Sequence, residues 1–513
     1  MARTADPLSC KGKTLCVGLP GLLFLLPAGC YSSDLVGDGG RNDQHSHEDS
    51  LDTTWDNVDP WDVPPDGDAY VDTADSYVDP SDANWDPDQV VDPVPDADVL
   101  LDYDIPFTYA CDALEADIVV PRDVPTIQAA IDLAGDGDTV CVEPGIYHEH
   151  LRIEAKRMIL VGPAGPFRTI VDGDWTDRAL RISGPMDSST VIDGFTLRYG
   201  WNYNSWDFGA GGLTIDNASP TVRNVIVSDN ITDSSFGSGV VISGSDSAPI
   251  FDNVVILRSE VESGFGAGLF LQGGADATFS HAIIADNWTF SGFGGGIFID
   301  TEDSFLTLTN AIISDNRTRD GFGGGLFTHG PIGFVNVTVV GNTTRSGEGA
   351  GLAVQGSPAT LTNVQIVENG ISESGSGGGL FVEDGVTATL TSCNLWGNAG
   401  GDFSGIPDPI GTAGNISADP GFLDRSSEDP MRWDLHLSTG SPSVDAGAPT
   451  LADPDGSPSD IGAYGGPGAA GWDIDRDGFP LWWQPGPYDF SLYPSLGLDC
   501  NDLDPDIRPG AGC

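Results

Sequence analysis

The chain has 513 residues and carries 77 Asp and Glu against 21 Lys and Arg, a formal net charge of -56. That balance excludes nucleic acid and bare anionic membrane surfaces as partners and leaves cations and neutral polymers. The 69 glycines and the scarcity of helical periodicity point to an all-β protein. A chain of this length needs an extended architecture, because a single compact core does not grow so large.

In chain order, Arg3, Lys11 and Lys13 precede an apolar run from Leu15 to Leu26 and the sequence Pro27-Ala28-Gly29-Cys30. These residues resemble a bacterial lipoprotein signal. The resemblance implies cleavage after residue 29, lipidation of Cys30 and export to the outer membrane or cell surface. A membrane contact is then expected only through that anchor; an ordinary cleaved signal and secretion is the alternative. Residues 30–105 follow as an acidic tether rich in Asp and Pro, as in Val78-Asp79-Pro80 and Val91-Asp92-Pro93. Such a segment has too little apolar surface to offset its ordering entropy, and its proline and self-repulsion keep it extended. In an exported chain the cysteines become bridge candidates. Cys111 with Cys141, and Cys500 with Cys513, pair plausibly by proximity, which leaves Cys393 over and buried.

The folded sequence is expected to begin with an amphipathic helix over Val124–Ala134, ended by Asp136-Gly137-Asp138. Short strands follow at Thr139–Val142, Leu151–Ile153, Met158–Val161 and Thr169–Val171. The run PTIQAAIDLAGDGDTVCVEPGIYHEHLRI resembles the N-terminal cap of the pectate-lyase-like right-handed parallel β-helix. The resemblance implies that fold over residues 106–411, with the helix plugging the open end of the stack.

From about residue 180 to 400 a glycine cluster recurs before an apolar residue. The apolar residues are Leu213, Val240, Leu269, Ile297, Leu326, Leu352 and Leu380, at spacings of 26 to 29 residues. A period of that length means stacked units, none able to bury a core alone. Two ladders run in phase with it. One is Asn230, Ser259, Asn287, Asn316, Asn342, Asn369 and Asn398; the other is Asn224, Asn253, His281, Asn310, Asn336, Asn363 and Ser392. Asparagine tolerates left-handed backbone, and stacked amides can pair from coil to coil. The segment between ladder Asn and glycine, such as WTFSGF or RTRDGF, varies most between repeats and is the first place to seek a binding surface. Residues 412–471, with the phrases NISADPGF, SPSVDAG and DIGAY, resemble the closing coils of bacterial surface β-helix proteins.

Residues 472–513 form an Asp-rich motif. Asp473, Asp475 and Asp477 alternate before Gly478, and Asp499, Asn501, Asp502 and Asp504 follow. Oxygen ligands at that spacing suit a hard cation, and the resemblance to metal-binding tails of secreted bacterial proteins implies calcium. A second candidate is the aromatic row Phe208, Phe236, Phe265, Phe293 and Phe322, each just before the glycines. It reads either as rings packed along the stack or as a ligand face for sugar rings.

No catalytic constellation stands out. Lyases of the resembled fold set an Arg or Lys base among calcium-binding carboxylates, and its polygalacturonases use a Gly-His-Gly step, to which Thr328-His329-Gly330 is the nearest fragment. Asp229, Asp286 and Asp315 recur before the ladder Asn and read as a solvated acidic edge. The expectation is therefore a monomeric, exported, non-catalytic β-helix that binds extracellular polysaccharide or another surface molecule. The alternative is a polysaccharide lyase or glycoside hydrolase acting on acidic polysaccharide.

Overall fold

The computed structural model describes residues 110–472, apart from 203–208, 234–235, 428–429 and 431–432. Cys30, the tether, Phe208, Cys500, Cys513 and all seven candidate ligands of the C-terminal motif lie outside the described residues.

Among the described residues the architecture is a parallel β-solenoid built from sheets of 14, 10 and 7 strands, here the first, second and third sheet. One coil runs from Ile250–Leu257 in the first sheet to Glu260–Ser263 in the third and Leu269–Gln272 in the second. The chain then re-enters the first sheet at Asp276–Ala285. Each strand pairs in parallel with its counterpart one repeat on: Ile250 with Thr278, Glu260 with Trp288, Leu269 with Ile297. Alternate side chains point inward, so Phe251, Val254, Ile256, Leu269 and Leu271 are fully buried. They belong to one continuous core that reaches from Ile118 to Leu395.

The long strands of the first sheet bend at their middle. Asn224, Asn253, His281, Asn310, Asn336, Asn363 and Ser392 all lie at φ between +49° and +58°. Register passes over them, with Arg223 opposite Asp252 and Val225 opposite Val254. Asn and His tolerate this left-handed conformation better than most residues, and here the expected ladder is confirmed. The other ladder is different. At that corner the left-handed residue is the one before it: Asp229, Arg258, Asp286, Asp315, Gly341, Glu368 and Gly397. The turn made one residue earlier drives the ladder amide into the core.

There the amides form an unbroken chain. Nδ2 of Asn287, Asn316, Asn342 and Asn369 donates to Oδ1 of the next ladder residue at 2.9 to 3.0 Å. The same Oδ1 also accepts from the preceding residue's backbone N–H. The second Nδ2 proton goes to a carbonyl one coil back, Ile256, Ile284, Ile313 or Val339. Asn316, Asn342 and Asn369 thus use both donors and both lone pairs. Asp402 closes the series, its Oδ1 accepting from Asn398 N and Nδ2.

The glycine cluster fits against this ladder. Its first glycine takes a left-handed turn (Gly266, Gly294, Gly323). Its last has no room for a side chain. A Cβ on Gly268, Gly296 or Gly325 would stand 2.6 Å from the next coil's glycine carbonyl and 2.8 to 3.0 Å from Asn287, Asn316 or Asn342.

At the N-terminal end, the helix Ile127–Leu133 is capped by Thr126 and buries Ile127, Ala130 and Ile131 in the core. Glu149 accepts from the free N–H groups of Ile127 and Gln128 at 2.8 and 2.9 Å. Cys111 and Cys141 form a disulfide, and Cys393 is unpaired and buried, its thiol pushed up to about 12 by desolvation.

Residues 412–471 depart from the expectation of closing coils. One further level forms, where Ile416 bridges to Asn394 and Asn415 Oδ1 accepts from Cys393 N. The chain then runs back along the flank of the first sheet as a strap. Asn363 reaches Ser459, Gln365 reaches the Ile461 carbonyl, Asn310 the Ala463 carbonyl, and His281 the Gly468 carbonyl. The reason is apolar: Ile226, Val255, Leu257, Ile312, Val340 and Val367 face outward there. They share a cluster with Leu435, Ala463 and Trp472, and left uncovered they would form an exposed hydrophobic patch.

Asn342→Ala should cost about 2 to 3 kcal/mol, because it leaves the backbone N–H and one Nδ2 proton of Asn316 without their acceptor in the core and removes one of the two bonds to Asn369 Oδ1. Gly296→Ala should cost about 1 to 3 kcal/mol by overpacking. Thr360→Ala on the exposed face should change stability by less than about 0.5 kcal/mol. Urea denaturation of the full chain reads all three, and equal midpoints would contradict the ladder as a stabilising element.

Candidate functional site

Part of the outer surface is covered by the chain itself. The strap lies on the flank of the first sheet. On the second sheet, the outward side chains Val241, Phe270, Phe298, Phe327 and Ala353 are buried. Phe236, Phe265, Phe293 and Phe322 fold over them from the glycine turns, half-buried, with ring centroids 5.5 to 5.6 Å apart along the row. Phe265 meets Phe298 at 4.8 Å and Phe293 meets Phe327 at 5.0 Å. The candidate ligand face is therefore the upper layer of a double phenylalanine stack.

The corner between the first and third sheets brings together charged and aromatic groups. Arg258 grips Asp229 with two bonds, Nε to Oδ1 at 2.6 Å and Nη2 to Oδ2 at 2.7 Å. Arg317 Nη2 meets Asp315 Oδ2 at 2.8 Å. The solvated acidic edge expected here is corrected on this point. The Asp229 side chain is 4% exposed and ion-paired, because the left-handed turn folds it beside the arginine of the next coil. Burial pushes the Asp315 carboxyl up, and Arg317 opposes the shift. Glu260, in the outer row of the third sheet, is raised to about 7, first by desolvation and then by the charges of Asp286 and Asp229.

In that row register places Trp201, Ile231, Glu260, Trp288, Arg317 and Thr343 side by side on successive coils. Trp288 meets Phe290 edge-on at 5.5 Å, and Arg319 lies over the Phe290 ring at 4.3 Å. Trp201 Nε1 donates to Asp233 at 3.1 Å. Toward the N-terminus the corner continues with Arg198, whose Nε donates to the buried Asp172 at 3.0 Å and whose guanidinium covers Tyr199. Tyr199 also packs on Trp175 at 4.8 Å. Toward the C-terminus the strap takes the corner: Arg425 pairs with Glu368 and covers the Trp433 ring.

The sequence pointed to this place through its variable segment, which forms the third sheet. It did not single out Glu260, Trp201, Trp288 or Asp172. The signal was available: the position just after the ladder Asn breaks pattern from coil to coil where its neighbours keep it. Asp229 and Asp315 read there only as an acidic edge, without the arginines that pair with them.

A family comparison agrees on architecture. Residues 211–406 match a family model described as a right handed beta helix region. The stack is a right-handed parallel β-helix. The resemblance carried by the helix-and-strand sequence at residues 125–153 and by the repeats thus holds at the level of fold. The crystal structure of pectate lyase Pel9A aligns over 66% of this chain and 90% of that chain, at 13% identity and a TM-score of 0.37. No curated protein matches the chain.

A carboxyl group raised on folding favours the protonated native state. Its contribution is present below the ordinary value of 4.5 and is lost as pH rises through about 7. Asp453 and Asp460 in the strap, raised to about 7 and about 6, act in the same window. Melting temperature should therefore fall between pH 5 and 7.5, and Glu260→Gln should make that fall shallower. An identical pH profile for wild type and variant would show that Glu260 is not desolvated.

Proposed function

We propose that this protein is an exported, surface-anchored binder that holds an extracellular polysaccharide along the corner between the first and third sheets, without cleaving it. The observation that carries this reading is the alternation of aromatic and paired ionic groups over successive coils: Tyr199 with Trp175, Arg258 with Asp229, Trp288 with Phe290, Arg317 with Asp315. Aromatic faces accept sugar rings, and fixed charges and amides orient hydroxyl groups. Coils ~4.8 Å apart present such groups at a repeat suited to an extended chain.

The main support for binding over cleavage is the state of the basic groups. A lyase needs a base that can lose its proton. Arg258 is held in a two-bond ion pair with Asp229, and Lys156, the one lysine beyond Lys13, donates its Nζ to the Ile131 carbonyl at the N-terminal end of the stack. The second reading, a glycoside hydrolase, draws on Glu260, whose raised carboxyl could serve as a general acid.

One experiment separates them. The purified chain is titrated with a panel of neutral and acidic polysaccharides by calorimetry, and the mixtures are assayed for new unsaturated or reducing ends. Trp288→Ala should weaken binding by roughly 1 to 3 kcal/mol in affinity, with no new ends in any mixture. New ends that vanish in Glu260→Gln would establish the hydrolase, and binding unchanged in Trp288→Ala would remove the corner from either reading.

Lipidation at Cys30 and calcium binding by Asp473, Asp475, Asp477, Asp499, Asn501, Asp502 and Asp504 belong to the same proposal. The anchor and the long acidic tether would hold the β-helix away from the membrane. Calcium should raise the melting temperature of the wild type, and Asp475→Ala with Asp477→Ala should abolish that response; a response that persists would exclude these ligands.

A further inference from the structure

We infer a metal site at the first coils, where His148, Asp172 and Asp174 converge. Its residues are not those of the Asp-rich motif 472–513, and it shares Asp172 with the N-terminal end of the charged and aromatic corner. His148 ends the strand Gly145–His148 and Asp172 ends the strand Thr169–Asp172, and register sets the two directly opposite. Asp174 follows in a left-handed turn, φ +50°, which brings its carboxylate back toward the imidazole. One ligand atom from each residue lies within 4.8 Å of the other two. His148 Nδ1 and Asp174 Oδ1 are 2.7 Å apart. Two ligands on one zinc ion stand about 3.3 Å apart when each bond is about 2.0 to 2.1 Å. Small side-chain adjustments therefore bring the three atoms around one ion.

The surroundings support the cluster as a site rather than a chance pair. Asp172 is anchored: its side chain is 6% exposed and its Oδ2 accepts from Arg198 Nε at 3.0 Å. Its Oδ1 accepts from Asp174 N at 3.0 Å and retains a second lone pair. His148 and Asp174 are open to solvent, with side chains 59% and 52% exposed, so an ion can enter and keep water in its remaining positions. A second imidazole stands at the same turn. His150 Nε2 meets Thr176 Oγ1 at 3.0 Å, and His150 Nδ1 is buried with no partner among the described residues. The donor set selects the metal. One imidazole nitrogen with two carboxylates suits a borderline divalent ion of the zinc type, whereas calcium and magnesium take oxygen alone. Three protein ligands with an open position are the arrangement of a reactive or exchangeable site rather than a closed structural one.

The test uses the full exported chain after chelator treatment. Zinc binding is measured by calorimetry, and cobalt is then loaded to read coordination from its visible spectrum. We expect stoichiometric zinc binding in the wild type, weakened roughly tenfold or more in His148→Ala and in Asp174→Asn. A cobalt band carrying nitrogen coordination should be lost in His148→Ala. Asp475→Ala with Asp477→Ala should leave zinc binding unchanged. Both site variants alter exposed side chains, and circular dichroism checks that each folds. Zinc affinity equal to wild type in both, or no zinc binding by the wild type, overturns the site.

Discussion

A carboxamide buried between parallel coils must place two donors and two acceptors, and only one arrangement in this stack does so. Each ladder residue donates both its Nδ2 and its backbone N–H to the Oδ1 of the next amide, and its second Nδ2 proton goes to a carbonyl one coil back. In a low-dielectric core an unmade bond of this kind costs more than the made bond contributes. The ladder therefore fixes coil height and register over Asn287 to Asp402. It also dictates the glycines. The last glycine of each cluster packs against the ladder amide and the next coil's carbonyl, so that position excludes a Cβ. The two most regular features of the sequence are the two sides of one contact.

Much of the fold was legible for this reason. Periodic glycine and asparagine reported the stack, and the amphipathic run near Ile127 reported the helix at its end. One local reading was left open between two conformations, and one local assignment went astray. The ladder ending at Asn398 looks like a row of left-handed turn residues, because asparagine suits both a left-handed turn and a buried amide stack. Sequence type does not separate these; only the turn one residue earlier does. Residues 412–471 look like more coils, because the phrases NISADPGF, SPSVDAG and DIGAY resemble the closing coils of bacterial surface β-helix proteins. Their destination is set instead by Ile226, Val255, Ile312 and Val340, which face outward from the first sheet. Nothing local to either segment shows that the two complement each other.

The site was less legible, because it is made of exceptions. Glu260, Trp288 and Arg317 occupy equivalent positions on successive coils yet differ in charge, shape and polarity. A repeat search discards that variation as noise. Physically it is the opposite. Positions that face the core or the ladder are constrained to repeat, so a row that keeps its backbone register while changing its side chains is free to serve a ligand.

Electrostatics sharpen the choice of face. In a chain of net charge -56, an uncompensated acidic surface would repel an acidic polymer and attract cations indiscriminately. Along this corner the carboxylates are matched locally: Asp172 by Arg198, Asp229 by Arg258, Asp315 by Arg317. Each arginine holds a buried or half-buried aspartate and offsets its charge locally. Glu260 is the exception, since its nearest charged neighbours are carboxylates and its proton is held to about pH 7. A neutral Glu260 at mildly acid pH donates a hydrogen bond, and an ionised one accepts two. The strip thus changes its hydrogen-bonding character over a narrow pH range at one point midway along its length.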